Sequence, residues 1–366
     1  MRSREDFRTS ALAVRPPNEK ENMGEQVIRI PIEIVVRVGA PTAPNGGAGF
    51  APSASRPALG RAAADEAIPI DEDYAEREGY RPSFLGKPVP LPTLTEGAQA
   101  LASIPDDAAE GDYLLRYHHF SIAMNKKRRL LFFAALNTTR HPDLLGTQSR
   151  KALGRDQWIL DPRIPSGHQV TSRELYGPTE FDRGHIVRRE DAYWGKNEGE
   201  AAYANYDSFH YTNCTPQHPK YNQSSQRGLW GLLENHITKK SEDEELRLSI
   251  FAGPVLAEND PVISRVKIPR QYWKIVIAKR KGAPTALGAW AFLLSQSKLV
   301  KEQRDKFEGV FDAGDFATYQ VRVSRIEQLT DIRFASIVRS SDTLDASDEA
   351  PAESARLITR LDQIAG

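Results

Sequence analysis

The sequence contains a single cysteine, Cys214, among 366 residues. One cysteine excludes an intrachain disulfide and a zinc site built from several thiolates of one chain. No run of 18 apolar residues occurs, so we expect no membrane-spanning helix. The opening segment, MRSREDFRTSALAVRPPNEKENMG, lacks the apolar stretch of a secretory signal. These absences predict a cytoplasmic protein with no membrane partner.

The chain also has no net charge, but its charges are unevenly distributed. Residues 113–333 contain 34 Lys and Arg against 25 Asp and Glu, which gives a net charge of +9 and leaves −9 on the remainder. A basic central region attracts polyanions such as nucleic acid. The hydrophobic share of 40% is that of a globular protein, which excludes a fibrous or wholly disordered chain.

The composition divides the chain into four regions. Residues 1–66 are predicted to be a disordered linker with one short strand at about 26–38, where Ile alternates with charged residues. Because an isolated strand cannot bury its apolar face alone, it is a candidate contact for a regulatory partner or a second copy. Residues 67–112 are acidic and proline-spaced, which predicts an extended arm. Residues 113–338 form the dense domain, and 339–366 an acidic C-terminal tail.

The order of predicted elements within the dense domain indicates an α+β fold. Apolar β-type runs are grouped on both sides of a loop-rich middle that contains one helical pattern, at 228–240. Grouped strands favour an antiparallel sheet over the alternating pattern of a parallel one. We therefore expect a central antiparallel sheet flanked by helices. The predicted strands are 115–124, 130–137, 248–257, 273–279 and 287–294.

The strongest local signal is the tetrapeptide Asp182-Arg183-Gly184-His185. A histidine with a reference pKa of about 6.5 is mostly neutral near pH 7 and can act as a base. Arg183 keeps its charge and suits a phosphate oxygen, while Gly184 allows a close approach of the backbone to a substrate. A base that activates water and a cation that neutralises developing charge are what phosphodiester hydrolysis requires.

Oxygen donors that suit a hard cation follow downstream. Mg²⁺ prefers oxygen ligands and keeps several waters, so it takes only one or two ligands from the protein. Asn222 and Glu234 supply such oxygens. Taken singly, each candidate also has an ordinary explanation: Asn213 as a turn residue, Glu234 as an exposed helix residue and Cys214 as a small buried side chain. The prediction of a site for phosphodiester hydrolysis rests on these residues occurring together in this order.

This set resembles the DNA/RNA non-specific endonucleases of the ββα-metal finger type, a family that includes secreted bacterial nucleases and mitochondrial endonuclease G. The family's DRGH motif corresponds to residues 182–185, and its Ser-Asn-x-x-Pro-Gln to residues 212–217, with Thr at the first position. Its Asn-Gln, Trp and Leu-Glu correspond to Asn222-Gln223, Trp230 and Leu233-Glu234. The similarity covers about 113–335.

The resemblance implies a Mg²⁺-dependent endonuclease, with Mn²⁺ as a substitute cation, that cuts DNA and RNA to 5′-phosphate and 3′-hydroxyl ends. His185 would be the general base, and Asn222 the direct protein ligand of Mg²⁺. Glu234 would take part in catalysis by orienting the ion through water. Arg183 would contact the phosphate, and Asn213 would position His185 or the scissile phosphate.

The resemblance also implies a ββα-metal finger, with strands near 181–187 and 208–213 and a helix near 228–239. Two features depart from the family pattern. Residues 224–227 are an insertion, so either the helix starts later or Asn222 lies on a longer loop. The family's arginine one helical turn after Leu-Glu is Thr238 here.

Basic side chains close to the motifs are candidate contacts with nucleic acid. Arg155 and Arg163 are alternatives for one substrate contact near Trp158. Phosphate contacts carry no direct sequence information, so we expect little sequence preference. The full candidate set is Arg155, Arg163, Arg188, Arg189 and Lys239.

Two functions from other classes remain open. A decayed nuclease that binds nucleic acid without cutting it is favoured only by the insertion at 224–227. A partner-activated effector is favoured by the acidic flanks, since acidic segments can recruit partners or block a basic groove. Deletion of residues 1–105 would then change activity or oligomeric state. A homodimer, which occurs in the family, is decided by nothing in the sequence.

Overall fold

The computed structural model describes residues 73–148, 153–154, 156–243, 246–300, 318–344 and 356–358. The strand predicted at 26–38 lies outside these residues. In chain order the described elements are β1 (Thr93–Leu94), α1 (Glu96–Gln99), β2 (Leu114–Arg116), β3 (Phe120–Asn125), β4 (Leu130–Thr139), β5 (Asp182–His185), α2 (Arg189–Ala192), α3 (Glu198–Asp207), β6 (Cys214–Gln217), α4 (Pro219–Asn222), α5 (Leu229–Asp243), β7 (Arg247–Pro254), β8 (Val262–Ile263), β9 (Val266–Lys267), β10 (Gln271–Arg280), β11 (Ala283–Ser295), β12 (Thr318–Val321), α6 (Val323–Leu329), β13 (Ile332–Arg333), α7 (Ser336–Ser340) and β14 (Arg356–Ile358).

A large antiparallel sheet forms the centre of the described chain, with strand order β14-β12-β11-β10-β7-β4-β3-β2. Every pairing in it is antiparallel. Helices and loops cover its faces, so the predicted α+β fold with a central antiparallel sheet is confirmed. Within the described residues, no helix is long and apolar enough to cross a membrane.

The central strands are largely apolar because both of their faces are covered. Alternate residues of β10 divide between two buried clusters, as the period of two requires. Trp273, Ile275 and Ile277 pack into one cluster, and Tyr272 and Val276 into the other. The second cluster also contains Trp230 and Leu233 of α5, so this face of the sheet supports the helix that carries Glu234.

The strand predicted at 115–124 is broken into β2 and β3. His119 has a φ of 68°, which ends the extended conformation. Its ring stacks on Trp194 at 3.6 Å between centroids, and its Nε2 lies 2.7 Å from the carbonyl oxygen of Trp194. This buried contact sets the backbone conformation of His119.

The described part of the predicted arm packs on the sheet. Tyr80, Phe84 and Leu85 are buried in the cluster that contains Phe251. Strand β1 pairs with β13 in antiparallel register, Thr93 opposite Arg333. At the other end of the chain, β14 lies in the predicted tail and pairs with β12 at the edge of the sheet. Both flanks therefore contribute to the folded unit.

Candidate active site

The tetrapeptide 182–185 forms strand β5, which pairs with β6 so that Asp182 lies opposite Gln217 and His185 opposite Cys214. The sequence places the second strand near 208–213, and this prediction is wrong. Residues 211–213 form a 3₁₀ turn, and β6 begins only at Cys214. A side chain at Gly184 would meet the Gln217 side chain at 2.3 Å, so only glycine fits this close pairing without a shift.

One face of β5 presents Arg183 and His185 together. The His185 ring lies 4.6 Å from the ring of Trp158, centroid to centroid, and 5.0 Å edge-on from Phe209. The Arg183 guanidinium lies 5.8 Å from the Trp158 ring and donates to the Ser172 hydroxyl at 3.0 Å. Arg183 is exposed and His185 is half-buried. A base and a cation thus share one solvent-accessible, aromatic-walled face.

The first residue of the same strand fixes the side chain of Asn222. Asp182 Oδ2 accepts from Asn222 Nδ2 at 3.0 Å and from Gln223 Nε2 at 2.8 Å. Because a carboxylate only accepts, the amide nitrogen of Asn222 faces Asp182 and its carbonyl oxygen faces away. Asp182 therefore orients the oxygen that a cation would take. The motif alone does not predict this role for Asp182.

The insertion at 224–227 leaves the helix where the motif requires it. Asn222 ends α4, residues Ser224–Gln226 form one 3₁₀ turn, and Arg227 with a φ of 61° reverses the chain. Helix α5 then begins at Leu229. Of the two alternatives left open by the sequence, the later start of the helix is the one observed, at Leu229, while Asn222 ends the short helix α4.

Helix α5 packs directly on the backbone of Asn222. A Cβ at Gly231 would lie 2.6 Å from the carbonyl oxygen of Asn222. Residues three apart on a helix share a face, so Glu234 follows Gly231 on the side that meets α4. The contact holds the backbone of Asn222 against the helix that carries Glu234.

Glu234 forms a buried ion pair that the sequence analysis missed. Lys274 Nζ of β10 donates to Glu234 Oε1 at 2.9 Å, and the two side chains are 2% and 8% exposed. The ammonium also lies 4.2 Å from the Trp230 ring centroid. Burial raises the pKa of Glu234, and the charges of Lys274 and Arg188 oppose that rise. The sequence signal for this ion pair is the lysine, Lys274, inside the apolar run WKIVIAK.

Asn213 is fully buried and does not reach solvent. Its side chain bonds only to backbone groups, those of Val187 and Ser208. Of the two roles expected for Asn213, the buried side chain does not fit positioning of the scissile phosphate, and positioning of His185 stays a prediction. Asn213 closes the turn that precedes β6 and fixes the chain that leaves β5.

The chain matches a known family of nucleases over most of its described length. Residues 98–341, more than half of the chain, match the model of the DNA/RNA non-specific endonuclease family. The chain belongs to the DNA/RNA non-specific endonuclease family. The resemblance read from the motifs is confirmed.

Two relatives show how far the sequence similarity extends. A nuclease of Nostoc sp. (strain PCC 7120 / SAG 25.82 / UTEX 2576) is 24% identical over 260 residues, which cover 68% of this chain and 86% of the relative. Uncharacterized protein y4fB of Sinorhizobium fredii (strain NBRC 101917 / NGR234) is 35% identical over 278 residues, which cover 73% of this chain. The match spans 40% of the length of y4fB.

Among solved structures, the EndoG/EndoGI complex, described as showing a mechanism of EndoG inhibition, aligns with a TM-score of 0.45 and 12% identity. The alignment covers 62% of this chain and 86% of that one. At this level of similarity it adds nothing to the family assignment.

Two arginines expected to contact nucleic acid are instead buried in ion pairs. Arg163 pairs with Asp161 at 2.7 Å, and its guanidinium lies 4.0 Å from the Tyr74 ring. Arg189 bonds to Asp156 at 2.8 Å and to Asn205 at 3.0 Å. These two predictions are corrected, since both guanidinium groups hold the fold together.

The remaining cations differ in accessibility. Lys239 is exposed on α5, and Arg188 is half-buried between Glu190 and Asn235. Arg155 lies outside the described residues. Thr238, at the family's arginine position, lies 3.4 Å from Arg140 of the β4 end, which is itself buried and paired with Asp191. Arg183, Arg188 and Lys239 are thus the described candidates that remain for phosphate contact.

The donor set of this endonuclease fits a hard cation. No group of three or more His, Cys, Asp or Glu that could hold a metal ion occurs in the described part of the chain. One oriented amide oxygen from Asn222 and the Glu234 carboxylate, on the helix packed against it, suit an ion that keeps most of its own waters, as Mg²⁺ does. They are fewer than the three or four protein ligands of a typical zinc site.

Proposed function

We propose that this endonuclease is a Mg²⁺-dependent, sugar-non-specific enzyme that hydrolyses phosphodiester bonds of DNA and RNA. Family membership supports nuclease activity. One observation carries the finer proposal: a single four-residue strand presents Arg183 and His185 on one face and orients Asn222 through Asp182. Strand β5 therefore positions the base, the cation and the candidate metal ligand.

His185 is the general base. It takes a proton from a water molecule, whose oxygen then bonds to the phosphorus while the bond from phosphorus to the 3′ oxygen breaks. The leaving oxygen takes up a proton, so the products carry a 3′-hydroxyl and a 5′-phosphate. The ring contacts with Trp158 and Phe209 restrict the orientation of the half-buried imidazole, which favours a base held in one position.

Asn222 and Glu234 are the residues that would hold the metal, Asn222 through its amide oxygen and Glu234 through water. When bound, Mg²⁺ supplies positive charge to the scissile phosphate and acidity at the leaving oxygen, and Mn²⁺ can substitute for it. Lys274 keeps the Glu234 carboxylate in place at 2.9 Å. Asp182 does the same for Asn222.

Arg183 and Lys239 contact the phosphates of the substrate, and the half-buried Arg188 is a third phosphate contact. Since these contacts go to the backbone, they carry no sequence information and favour weak specificity. A guanidinium beside a phosphate also stabilises the charge that develops in the transition state. Arg183 lies on the same face of β5 as His185, so its guanidinium is the group placed to stabilise this charge.

Cleavage of supercoiled plasmid, single-stranded DNA and RNA tests the proposal. We expect the full chain to cut all three with Mg²⁺ or Mn²⁺ and none with EDTA, and His185→Ala to retain binding without cutting. His141→Ala, an exposed histidine, is the matched control. Intact substrates despite binding by the unaltered chain would contradict the proposal and favour a silent or partner-activated module. Sedimentation of the full chain decides whether it forms a homodimer, a question that the sequence leaves open.

A further inference from the structure

Two side chains of the arm reach the segment that precedes strand β6. Arg77 Nε lies 3.0 and 2.9 Å from the two carboxylate oxygens of Asp207, and its Nη2 lies 2.9 Å from one of them. Each of these side chains is 2% exposed. The Tyr74 hydroxyl lies 2.7 Å from His210 Nε2. Tyr74 and Arg77 both precede residues 98–341, which the family model covers.

The hydrogen bonds of His210 determine whether the Tyr74 hydroxyl donates or accepts at His210 Nε2. His210 Nδ1 lies 2.8 Å from the carbonyl oxygen of Asp207, so it must donate there. Burial lowers the pKa of His210, which keeps the ring neutral and makes Nε2 an acceptor. Tyr74 therefore donates to His210. The Tyr74 ring in turn lies between the guanidinium groups of Arg77 and Arg163, at 3.9 and 4.0 Å.

The charge of Asp207 makes this contact sensitive to substitution. Burial alone would raise the pKa of Asp207, but the hydrogen bond from His118 and the charge of Arg77 hold it far below its usual value. The carboxylate is thus charged and almost completely buried. A buried charge that loses its partner is costly, so Asp207 holds Arg77 in one position.

The segment 207–213 connects this contact to the catalytic strand. Phe209 lies edge-on to the His185 ring at 5.0 Å. Asn213 bonds to the backbone of Val187, two residues after His185. Tyr74 and Arg77 bind one side of the segment, and Phe209 and Asn213 transmit its position to His185.

We propose that Tyr74 and Arg77 are positioning residues of the active site, acting on His185 through residues 207–213. The functional nuclease unit then begins before Tyr74, upstream of both the family-matched region and the boundary at residue 113 expected from the sequence. The inference rests on the proposed role of His185 as general base.

Substitutions in the full chain test this inference. For Tyr74→Phe we expect a folded protein in which kcat falls about tenfold and KM changes less than twofold, because a displaced base slows the chemical step without weakening binding. For Arg77→Met with Asp207→Asn, we expect stability close to that of the unaltered chain, since no charge is left unpaired, and a kcat that stays low. Arg116→Gln, in an exposed pair with Asp112, is the control.

A purely structural role makes a different prediction. If the double variant regains normal kcat together with its stability, Arg77 only neutralises Asp207, and the inference is wrong. Unchanged kcat in Tyr74→Phe would also overturn it.

A readout that is independent of cleavage separates this inference from the proposed function. The rate at which diethyl pyrocarbonate modifies His185, followed by peptide mass spectrometry, should change severalfold in both variants and stay constant in Arg116→Gln. If the unaltered chain cuts nothing, the proposed function fails, while this rate still tests the positioning. An unchanged rate in both variants would contradict the inference.

Discussion

Asn213 bonds to both backbone groups of Val187, accepting from its nitrogen at 2.8 Å and donating to its carbonyl oxygen at 2.9 Å. A further bond runs from Asn213 Nδ2 to the carbonyl oxygen of Ser208 at 2.8 Å. The amide thereby joins the end of α3 to the chain that leaves the His185 strand. Its contribution to activity must pass through backbone position, because the side chain is fully buried.

We expect Asn213→Ala and Asn222→Ala to separate positioning from metal binding. Removing the Asn213 amide leaves three buried backbone groups without that partner, at about 1–3 kcal/mol each, so unfolding should require at least about 3 kcal/mol less. Asn222→Ala removes a half-buried amide and should lower stability by less than about 1 kcal/mol. Both variants should lose cleavage. Urea denaturation and plasmid cleavage measure the two quantities.

The two variants also differ in their response to metal. Raising the Mg²⁺ concentration should restore part of the cleavage by Asn222→Ala, whose defect is in binding the ion, and none of that by Asn213→Ala. Equal losses of stability in the two variants, or restoration of both by Mg²⁺, would contradict the separation.

The sequence predicted the sheet and the motif strand because both depend on local patterns. The apolar period in β10 is visible within ten residues, and the tetrapeptide 182–185 needs no partner to be recognised. The pairings that complete the site are not local. Lys274 lies 40 residues from Glu234, and Arg77 lies 130 residues from Asp207. No pattern in the sequence brings such pairs together.

The same limit explains the errors about arginine. Arg163 and Arg183 have identical chemistry, and both lie close to Trp158 or the motif along the chain. Tertiary packing places Arg163 against Asp161 and Tyr74, while Arg183 stays exposed at the surface of β5. Charge alone therefore predicts that the domain attracts nucleic acid, but it does not predict which guanidinium contacts the phosphates.

The ion pair of Lys274 and Glu234 gives a second prediction. Lys274→Met leaves a buried carboxylate without its ammonium, which should lower the free energy of unfolding by about 3–5 kcal/mol. Adding Glu234→Gln removes the unpaired charge and should restore most of the stability, while cleavage stays lost because the carboxylate is gone. Guanidinium denaturation and cleavage with Mg²⁺ distinguish these effects.

Lys279→Met is the matched control, since Lys279 is exposed on the same strand. It should change stability by less than about 0.5 kcal/mol. Normal cleavage by the double variant at Lys274 and Glu234 would show that the carboxylate is not needed, and would remove Glu234 from the proposed site.

The exposed and buried arginines should differ in their effect on nucleic-acid binding. In a His185→Ala background that prevents cleavage, Arg183→Ala should weaken binding and reduce the slope of log K against log salt by about 1, because one phosphate contact is lost. Arg163→Ala should leave that slope unchanged under folding conditions and lower stability by about 3–5 kcal/mol. Fluorescence anisotropy of a labelled oligonucleotide measures the slope. A reduced slope in a fully folded Arg163→Ala variant would return Arg163 to the substrate surface.

The pH dependence of stability should report on His119. Burial lowers the pKa of His119 to about 3, so the folded state keeps the ring neutral while the unfolded chain protonates it below about 6.5. The unfolded state therefore binds more protons between these values, and stability falls as the pH falls, by about 1.4 kcal/mol per unit or about 2 kcal/mol between pH 6.5 and 5.

His119→Asn tolerates the positive φ and removes the titrating ring, so its stability should fall less over this range. His141→Gln, at an exposed position, should keep the slope of the unaltered chain. Denaturation at pH 7, 6 and 5 measures all three, and parallel curves for His119→Asn and the unaltered chain would show that the His119–Trp194 contact does not exclude the proton.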